Sequence, residues 1–262
     1  MPESHQSIEP DLPTSETIHL LHSRVSVRRY TDRPVDDAHV EAVLRAAFRA
    51  PTSSNIQSYS VVVVRDPETL KQLSVVTSNQ RHVAEAPVFL AFCADMARIE
   101  TAMAAYGHDI HDNNLEMGLV SSVDAALVGM SASLAAESLG LQGVMIGAIR
   151  NDATEAARIL GLPNRVYCVY GMVLGWPAEA PPPKPRMPYD AVVHYERWGE
   201  RRSERSIEEA VAAYDAELAA HYRGQGRTTN DDSWTADVAK KFSVRPRQKL
   251  RGDLAGQGFD FG

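Results

Sequence analysis

The chain has 262 residues, of which 44% are hydrophobic, so it is long and apolar enough for one large domain or for one core with an extension. Its formal net charge is −7, which argues against nucleic-acid binding over the whole surface but leaves room for a local basic site. Cys93 and Cys168 are the two cysteines, and both lie in apolar runs typical of strands. This predicts buried free thiols in a reducing compartment and not a disulfide framework.

Targeting and membrane-spanning segments are not expected. We identify no apolar stretch of about 18 residues, the length that a spanning helix needs. Residues 1–16 are polar, acidic and contain proline, and they lack the basic start and apolar run of a secretory signal. The sequence therefore predicts a flexible tail over 1–16 and a cytoplasmic protein without membrane contact.

The hydrophobic pattern predicts helices that alternate with a few strands. Asp36 and Asp66 are expected helix N-caps, the second followed by Pro67, and Gly140 and Gly161 are expected helix ends. In chain order the pattern predicts a helix that begins with residues 17–22, a helix over 37–49, a strand over 58–65, a short helix after Asp66 and a strand over 87–94. It then predicts a helix over 121–139, a strand or strand-like turn over 143–149, a helix over 152–160, a strand over 166–174 and a helix over 207–222.

The composition changes after the last predicted strand. Residues 181–188 read PPPKPRMP, a stiff segment that cannot lie inside a helix, and residues 223–262 are polar and glycine-rich, like an arm. We therefore expect a tail over 1–16, a core over 17–195 and a C-terminal extension over 196–262. The order of the elements predicts an α+β fold in which helices cover a sheet.

Several common catalytic motifs are missing from the sequence. There is no G-x-G-x-x-G after a strand, no P-loop, no H-E-x-x-H and no C-x-x-C, and the serines at 53–54 lack the glycines of a nucleophile elbow. A metal held by the run of His108, Asp109, His111 and Asp112 is conceivable. We expect a solvated loop there and no metal, because no cysteine or spaced carboxylate pair completes a site.

Three separated clusters carry side chains suited to binding an anionic ligand. They are the basic run 24–30 (RVSVRRY), the polar run 51–57 (PTSSNIQ) and Lys184-Pro185-Arg186. Arginine suits phosphate because its guanidinium offers forked donors, and hydroxyls and amides bind sugar or ring polar edges. Pro185 holds two cations on a stiff backbone. Each cluster taken alone is typical of an ordinary solvated surface.

Together the clusters resemble the nitroreductase family, in particular its oxygen-insensitive NADPH nitroreductase and flavin reductase P group. The pattern R-x-S-x-R followed by an aromatic residue is similar to the start of that family's flavin-phosphate segment, and Pro51–Gln57 resembles its second flavin segment. The likeness runs from about residue 17 to Trp234. Further matching blocks follow in the same order, at 80–84 (QRHVA), 135–141 (AAESLGL), 146–151 (IGAIRN), 174–177 (LGWP) and 184–186 (KPR).

The resemblance implies a mainly antiparallel sheet covered by helices, and a homodimer that holds FMN without a covalent bond. Carried over by position, the phosphate is held by Arg24, Ser26, Lys184 and Arg186, and Arg28 lies near the N1/O2 edge of the ring. The ring and ribityl chain are bound by Thr52, Ser53, Asn55, Gln80 and the Ile146–Gly147 segment, with the Gly147 N–H facing N5. A small residue at 147 allows the backbone to approach the ring, and the hydride steps need no acid–base side chain, so no catalytic residue is expected.

The C-terminal extension departs from the pattern of the group. In related enzymes its arginines hold the 2′-phosphate of NADPH, and here those positions fall near Gln225 and Asn230. Arg223 and Arg227 are the expected replacements after a local shift. The choice between NADPH and NADH is therefore open.

Other functions stay open at this point. The chain could be a flavin reductase that exports reduced FMN, or a flavin-binding module without turnover. A nucleic-acid-binding protein using the basic run 240–251 is disfavoured by the acidic net charge and the absence of interleaved exposed aromatics. The residues do not identify the small acceptor, because a nitro compound, a quinone, chromate, an azo dye or free flavin would each fit an open flavin face.

Overall fold

The computed structural model describes residues 12–110, 115–227, 233–244 and 246–261. The chain divides into two compact units. The larger unit comprises Thr14–Pro181 and Arg247–Gly262, and the smaller unit comprises Met1–Pro13 and Pro182–Pro246. The expected boundary between a core and an extension at 195/196 stays a prediction, as does the tail over 1–16, of which residues 1–11 lie outside the described residues.

The larger unit is built on a four-stranded sheet in the order β1-β2-β4-β3, and every neighbouring pair is antiparallel. This confirms the predicted α+β class. The inner strand β2 is buried along its whole length, as its apolar sequence predicts. The strands are β1 (Tyr59–Val64), β2 (Val88–Asp95), β3 (Gln142–Ile146) and β4 (Val166–Gly175).

Helices cover both faces of the sheet because successive side chains of a strand point to opposite faces. On one face Phe89 and Ala91 of β2 pack with the apolar residues of α3, α4 and α7, and on the other Leu90 and Phe92 pack with α2 and α6. The helices of this unit are α1 (Glu16–Ser23), α2 (Asp37–Ala47), α3 (Pro67–Val76), α4 (Arg81–Ala84), α5 (Ala97–Ala104), α6 (Leu115–Ser138), α7 (Ala153–Leu160) and α11 (Leu250–Gly256).

The smaller unit contains α8 (Tyr189–Val192), α9 (Ile207–Gly224) and α10 (Trp234–Phe242). Ser206 and Glu209 form a capping box at the start of α9, in which each side chain binds the other residue's backbone N–H. The buried side chains Tyr214, Leu218 and Tyr222 follow at helical spacing and pack with Met187. This cluster joins α9 to the proline-rich segment that carries Lys184 and Arg186.

Most of the predicted helix ends are confirmed by the structure. Asp66 caps α3 by accepting a hydrogen bond from the Thr69 N–H, and Gly140 and Gly161 adopt φ values of +83° and +63° after α6 and α7. Asp36 occupies the N-cap of α2, although its side chain makes no capping hydrogen bond. Cys93 and Cys168 are buried free thiols on adjacent strands.

Three expectations about single elements are wrong. The long helix includes Leu115, six residues before the expected start at Ser121, and Gly118, which interrupts the apolar pattern, lies against the Phe261 ring. No helix was expected within residues 223–262, whereas α10 and α11 lie there. The strand or strand-like turn predicted over 143–149 is a strand only as far as Ile146, and a 3-10 turn follows over Gly147–Asp152.

The expectation that no stretch is apolar enough to span a membrane is also wrong. By length and composition, the 24 residues of α6 would suffice. The same test is met by helices that pack in a protein core. Ala125, Val128 and Ala132 of α6 are fully buried in the cluster that α6 forms with α2 and the sheet, so packing accounts for the apolar character of this side of the helix.

Candidate functional site

Glu179 positions the backbone of the first basic cluster. Its carboxylate accepts hydrogen bonds from the Arg28 N–H at 2.7 Å, from the Arg29 N–H at 3.2 Å and from the Arg29 Nε–H at 3.0 Å. The Val27 N–H donates to the Gly143 carbonyl at 3.0 Å, which ties the same segment to β3. The segment is therefore fixed by its backbone, while the Arg28 side chain stays exposed and Ser26 is half-buried.

Arg24, the first predicted phosphate ligand, already has an acidic neighbour. Its Nε lies 3.5 Å from Oε1 of Glu137, whose side chain is 4% exposed. Burial raises the pKa of Glu137, opposed by the Ser133 hydroxyl and by the Arg24 charge, which both lower it. Arg24 has further N–H donors for a ligand, but part of its charge is balanced within the protein.

Gln80 lies beside a left-handed turn with a polar atom left unsatisfied. Ser78 and Asn79 have φ values of +64° and +57°, and the Gln80 Oε1 is buried without a hydrogen-bond partner among the described residues. A buried acceptor without a partner is costly, so a bound donor would satisfy it. The Asn151 amide donates to the Ser78 hydroxyl at 3.1 Å, which joins this turn to the 3-10 turn that begins at Gly147.

Arg28 is close enough to α4 to influence its histidine. The pKa of His82 is lowered first by burial and then by the positive charge of Arg28. Arg28 and Gln80 therefore lie on the same side of the larger unit, because His82 follows Gln80 by two residues.

The second predicted cluster forms a loop with an unusual backbone. Ser54, Asn55 and Gln57 have φ values of +46°, +57° and +55°, a region that residues other than glycine seldom adopt. Such conformations cost of order 1–3 kcal/mol each and concentrate at functional sites. Thr52 is half-buried, whereas Ser53 and Asn55 are exposed.

Asp124 of α6 anchors this loop, and sequence reasoning missed it. Asp124 is fully buried and accepts hydrogen bonds from the Ser53 N–H at 3.0 Å, the Ser58 N–H at 3.1 Å and the Ser58 hydroxyl at 2.9 Å. A lone aspartate inside a long apolar helix was the available signal, because a buried carboxylate requires donors.

Gly147 lies where β3 ends and the 3-10 turn begins. A Cβ at this position would meet only the Arg150 Nη2 within 4 Å, at an ordinary 3.6 Å, so packing within the described residues does not require glycine. Ile146 is buried beside it. The Gly147 carbonyl accepts a hydrogen bond from the Arg247 Nη2 at 3.1 Å, so a residue assigned to the arm orients this peptide.

The remaining predicted cations belong to the smaller unit. The Lys184 ammonium donates to the Tyr222 hydroxyl at 2.8 Å, and the Arg227 guanidinium lies 4.0 Å from the centroid of the same ring. The Arg186 Nη1 donates to the carbonyls of Lys184 and Pro185 at 3.1 and 3.2 Å. Arg223 is exposed in the last turn of α9.

These features fit a flavin. Within the larger unit, the Gln80 acceptor suits an N–H of the ring, the bare Gly147 allows close approach of a planar group, and the exposed Arg28 side chain suits a negatively charged edge. No group of three metal-ligating side chains occurs in the described part of the chain, while His111 and Asp112 lie outside it. The geometry can therefore bind and orient a planar anionic cofactor.

Comparisons with known proteins match nearly the whole chain. A model of the nitroreductase family matches residues 21–176, and a model of the family's C-terminal domain matches residues 184–262. The oxygen-insensitive NADPH nitroreductase of Salmonella typhimurium is 37% identical over 94% of this chain and 98% of its own length. The FMN reductase [NAD(P)H] of Bacillus subtilis is 34% identical over 94% of this chain and 98% of its own length.

A solved structure extends the likeness to the whole fold. The structure of B. megaterium NfrA2 matches with a TM-score of 0.89 at 34% identity, covering 95% of this chain and 100% of that one. Both the sequence matches and the structural match therefore span nearly the full length. The chain belongs to the nitroreductase family.

Proposed function

We propose that this chain is an FMN-dependent oxidoreductase that transfers electron pairs from NADPH or NADH to nitroaromatics, quinones or similar small acceptors. The observation that carries the proposal is the open backbone at Gly147, beside a turn that leaves the Gln80 acceptor unsatisfied. Family membership supports it, because relatives that cover nearly the whole chain have names that include NADPH nitroreductase and FMN reductase.

The protein's contribution is to bind, orient and supply a fixed electrostatic field. Bound FMN would supply the redox chemistry, the transfer of an electron pair from the nicotinamide to the acceptor. Arg28 is the cation assigned to the N1/O2 edge of the ring, where it stabilises developing negative charge. Its backbone is held by Glu179 and its side chain is exposed, so the charge is directed without being neutralised by that carboxylate.

Export of reduced FMN is the second candidate function. The pairing of Arg24 with buried Glu137 favours it, because this arginine offers less net charge to a phosphate than an unpaired one does. The relative named FMN reductase is consistent with such a role. Release of reduced flavin at a rate comparable with turnover separates this candidate from nitroreduction at bound flavin.

A homodimer is part of the proposal. The side of α6 that does not face the sheet exposes four large apolar residues at intervals of one helical turn, Leu115, Leu119, Val123 and Leu127. An apolar stripe of this kind is typical of a protein interface. We assign this apolar stripe to contact with a second copy of the chain, which the extension over 196–262 would embrace. We also place the protein in the cytoplasm, because buried free thiols persist in that reducing compartment. Sedimentation should show a dimer at micromolar concentration, and a flavin-loaded active monomer would contradict this assignment.

The central experiment is a spectroscopic and kinetic test on the purified protein. It should be yellow, release FMN on denaturation and be bleached by NADPH or NADH without oxygen. If both substrates use one flavin face, double-reciprocal plots of the initial rate with both substrates varied should give parallel lines. Intersecting lines would show a ternary complex. Arg186→Ala should weaken FMN binding by about ten-fold or more, and Lys71→Ala, a change at another cation, should not. Release of FAD, or no bleaching, would refute the proposed function.

A further inference from the structure

The basic run 24–30 of the larger unit lies beside the segment that follows β4. The Ala178 N–H donates to the Arg29 carbonyl at 2.9 Å, which joins the two stretches. The N–H groups of Arg28 and Arg29 find no backbone acceptor among the described residues and converge instead on Oε1 of Glu179, at 2.7 and 3.2 Å. Because backbone N–H groups need acceptors, a side chain completes the pairing of the backbone at this point.

Glu179 holds the two adjacent arginines in different ways. Its Oε2 accepts from the Arg29 Nε–H at 3.0 Å, so an ion pair balances the charge of the Arg29 side chain. It holds Arg28 by the backbone N–H alone, and no carboxylate of the described residues lies within ion-pair distance of the exposed Arg28 side chain. Two arginines and one carboxylate leave one positive charge, and this charge resides on Arg28.

The carboxylate of Glu179 stays ionised at neutral pH. Partial burial raises its pKa, but the hydrogen bonds from the Arg28 N–H and from the backbone and side chain of Arg29 outweigh burial, so the pKa lies below its ordinary value. An ionised carboxylate is a stronger hydrogen-bond acceptor than a neutral one. The hold on the Arg28 backbone is therefore at full strength near neutral pH.

The charge of Arg28 acts on the side of the unit where Gln80 lies. It lowers the pKa of His82, after the larger effect of burial, and His82 follows Gln80 by two residues. The Gln80 Oε1 is buried without a partner among the described residues, and it is the acceptor that suits an N–H of the flavin ring. The positive charge is therefore directed towards the position assigned to the ring.

The backbone hydrogen bond restricts where the Arg28 charge can lie. The Arg28 side chain leaves from the Cα beside the N–H that Glu179 holds, so loss of this bond would free the backbone torsions on either side of it. A fixed cation stabilises charge that develops beside it without having to reorganise. A cation that must first be ordered loses conformational entropy and contributes less.

We propose that Glu179 is a positioning residue, which directs the Arg28 charge at the N1/O2 edge of FMN through the backbone while Arg29 balances its own negative charge. The inference rests on the proposed function. It makes the reduction potential of bound FMN the quantity that Glu179 controls, because negative charge develops at that edge when the ring is reduced.

Two substitutions at position 179 separate positioning from charge. Glu179→Gln keeps an oxygen for both backbone N–H groups and removes the negative charge, and the Arg29 side chain, which is 74% exposed, can turn into solvent. The ratio of the dissociation constants of oxidised and reduced FMN should then stay unchanged or rise. Glu179→Ala removes the acceptor as well, so the ratio should fall about three-fold or more. A role through charge alone predicts a rise in both variants.

A double substitution and a matched control complete the test. Arg28→Ala should lower the same ratio about ten-fold, which is about 30 mV for a two-electron couple. Adding Glu179→Ala to that variant should cause no further fall, since no charge is left to be positioned. Glu41 also pairs with an exposed arginine, its Oε1 lying 2.6 Å from the Arg45 Nη2, but it makes no contact with the basic run. Glu41→Ala should leave the ratio unchanged.

Both measurements are independent of turnover. Titration of the apoprotein gives the dissociation constant of oxidised FMN, and equilibration of bound FMN with a redox dye of known potential, without oxygen, gives the reduction potential. A wild type that binds no FMN would overturn the proposed function and the inference together. With FMN bound, equal shifts in Glu179→Ala and Glu179→Gln, or a further fall when Glu179→Ala is added to Arg28→Ala, would overturn the inference alone.

Thermal melting shows whether Glu179→Ala is folded. If it is not, Glu179→Asp takes its place, because it keeps the charge and withdraws the carboxylate by one methylene from the two backbone donors. The ratio of the dissociation constants should fall in Glu179→Asp and not in Glu179→Gln, and the reverse order would overturn the inference.

Discussion

Asp124, which anchors the loop over residues 51–57, provides the sharpest test of how the fold supports the site. Asp124 and Ser58 are fully buried, and the Asp124 carboxylate accepts three hydrogen bonds, two from Ser58 and one from the Ser53 N–H. In Asp124→Asn one carboxylate oxygen is replaced by an NH2 group, which cannot accept a hydrogen bond. Depending on the orientation of the amide, the backbone N–H of Ser53 or that of Ser58 then faces this NH2 group. The Ser58 hydroxyl can rotate to accept from the new amide, so about one hydrogen bond to a charged group is lost.

The expected loss of stability is therefore about 1.5–3 kcal/mol, the value of one hydrogen bond to a charged group. Asp124→Ala leaves three donors without that acceptor and should cost more. Released from its anchor, the loop can leave the positive φ values of Ser54, Asn55 and Gln57, so FMN binding should weaken together with stability. Urea denaturation measures the first effect, and titration of the apoprotein with FMN, followed by fluorescence, measures the second.

Asp95 provides the matched control, because it is also a buried carboxylate that holds backbone donors. It accepts from the Ala97 N–H at 2.9 Å, from the Arg98 N–H at 3.3 Å and from the Ser60 hydroxyl. Asp95→Asn should destabilise the fold to a similar degree and leave FMN affinity unchanged. Substitutions at the surface usually change stability by no more than about 0.5 kcal/mol. If Asp124→Asn keeps both the stability and the free energy of FMN binding within that range of the wild type, the reasoning is refuted.

Two further predictions concern stability. Burial raises the pKa of Glu137, so folding disfavours its ionised form. Relative to Glu137→Gln, the wild type should therefore gain stability as the pH falls from neutral through that raised pKa towards the ordinary glutamate range. Urea denaturation at several pH values measures this, and a stability that falls with the pH would contradict it. Gly171→Ala would place a Cβ 2.1 Å from the Cζ of buried Phe89 and should cost about 1–3 kcal/mol. Gly252→Ala, with nothing within 4 Å in helix α11, should be neutral or stabilising in the same assay, and equal losses would show that packing does not decide the effect.

Local signals in the sequence were sufficient for β1, β2, β4 and most helix ends. The run around β2 is continuously apolar and Asp66-Pro67 is a strong helix start, so these elements depend on neighbouring residues alone. Helices α10 and α11 were missed because their segments are short and polar, although Trp234, Val238 and Phe242 of α10 recur at helical spacing. Leu254 of α11 is buried by contact with residues of the core more than 80 positions away, including Tyr167, which no local pattern reveals.

The sequence by itself determined the family and the α+β class, because basic and polar side chains in a fixed order are visible without coordinates, and for the same reason it predicts which residues bind a flavin. Only the tertiary structure decided how those residues are held. It paired Arg24 with Glu137 and anchored the loop around Ser53 on Asp124. It also stacked Arg227 on Tyr222. The free energy of a buried carboxylate or a stacked cation depends on the partners that folding brings to it, and residues distant in the sequence supply them.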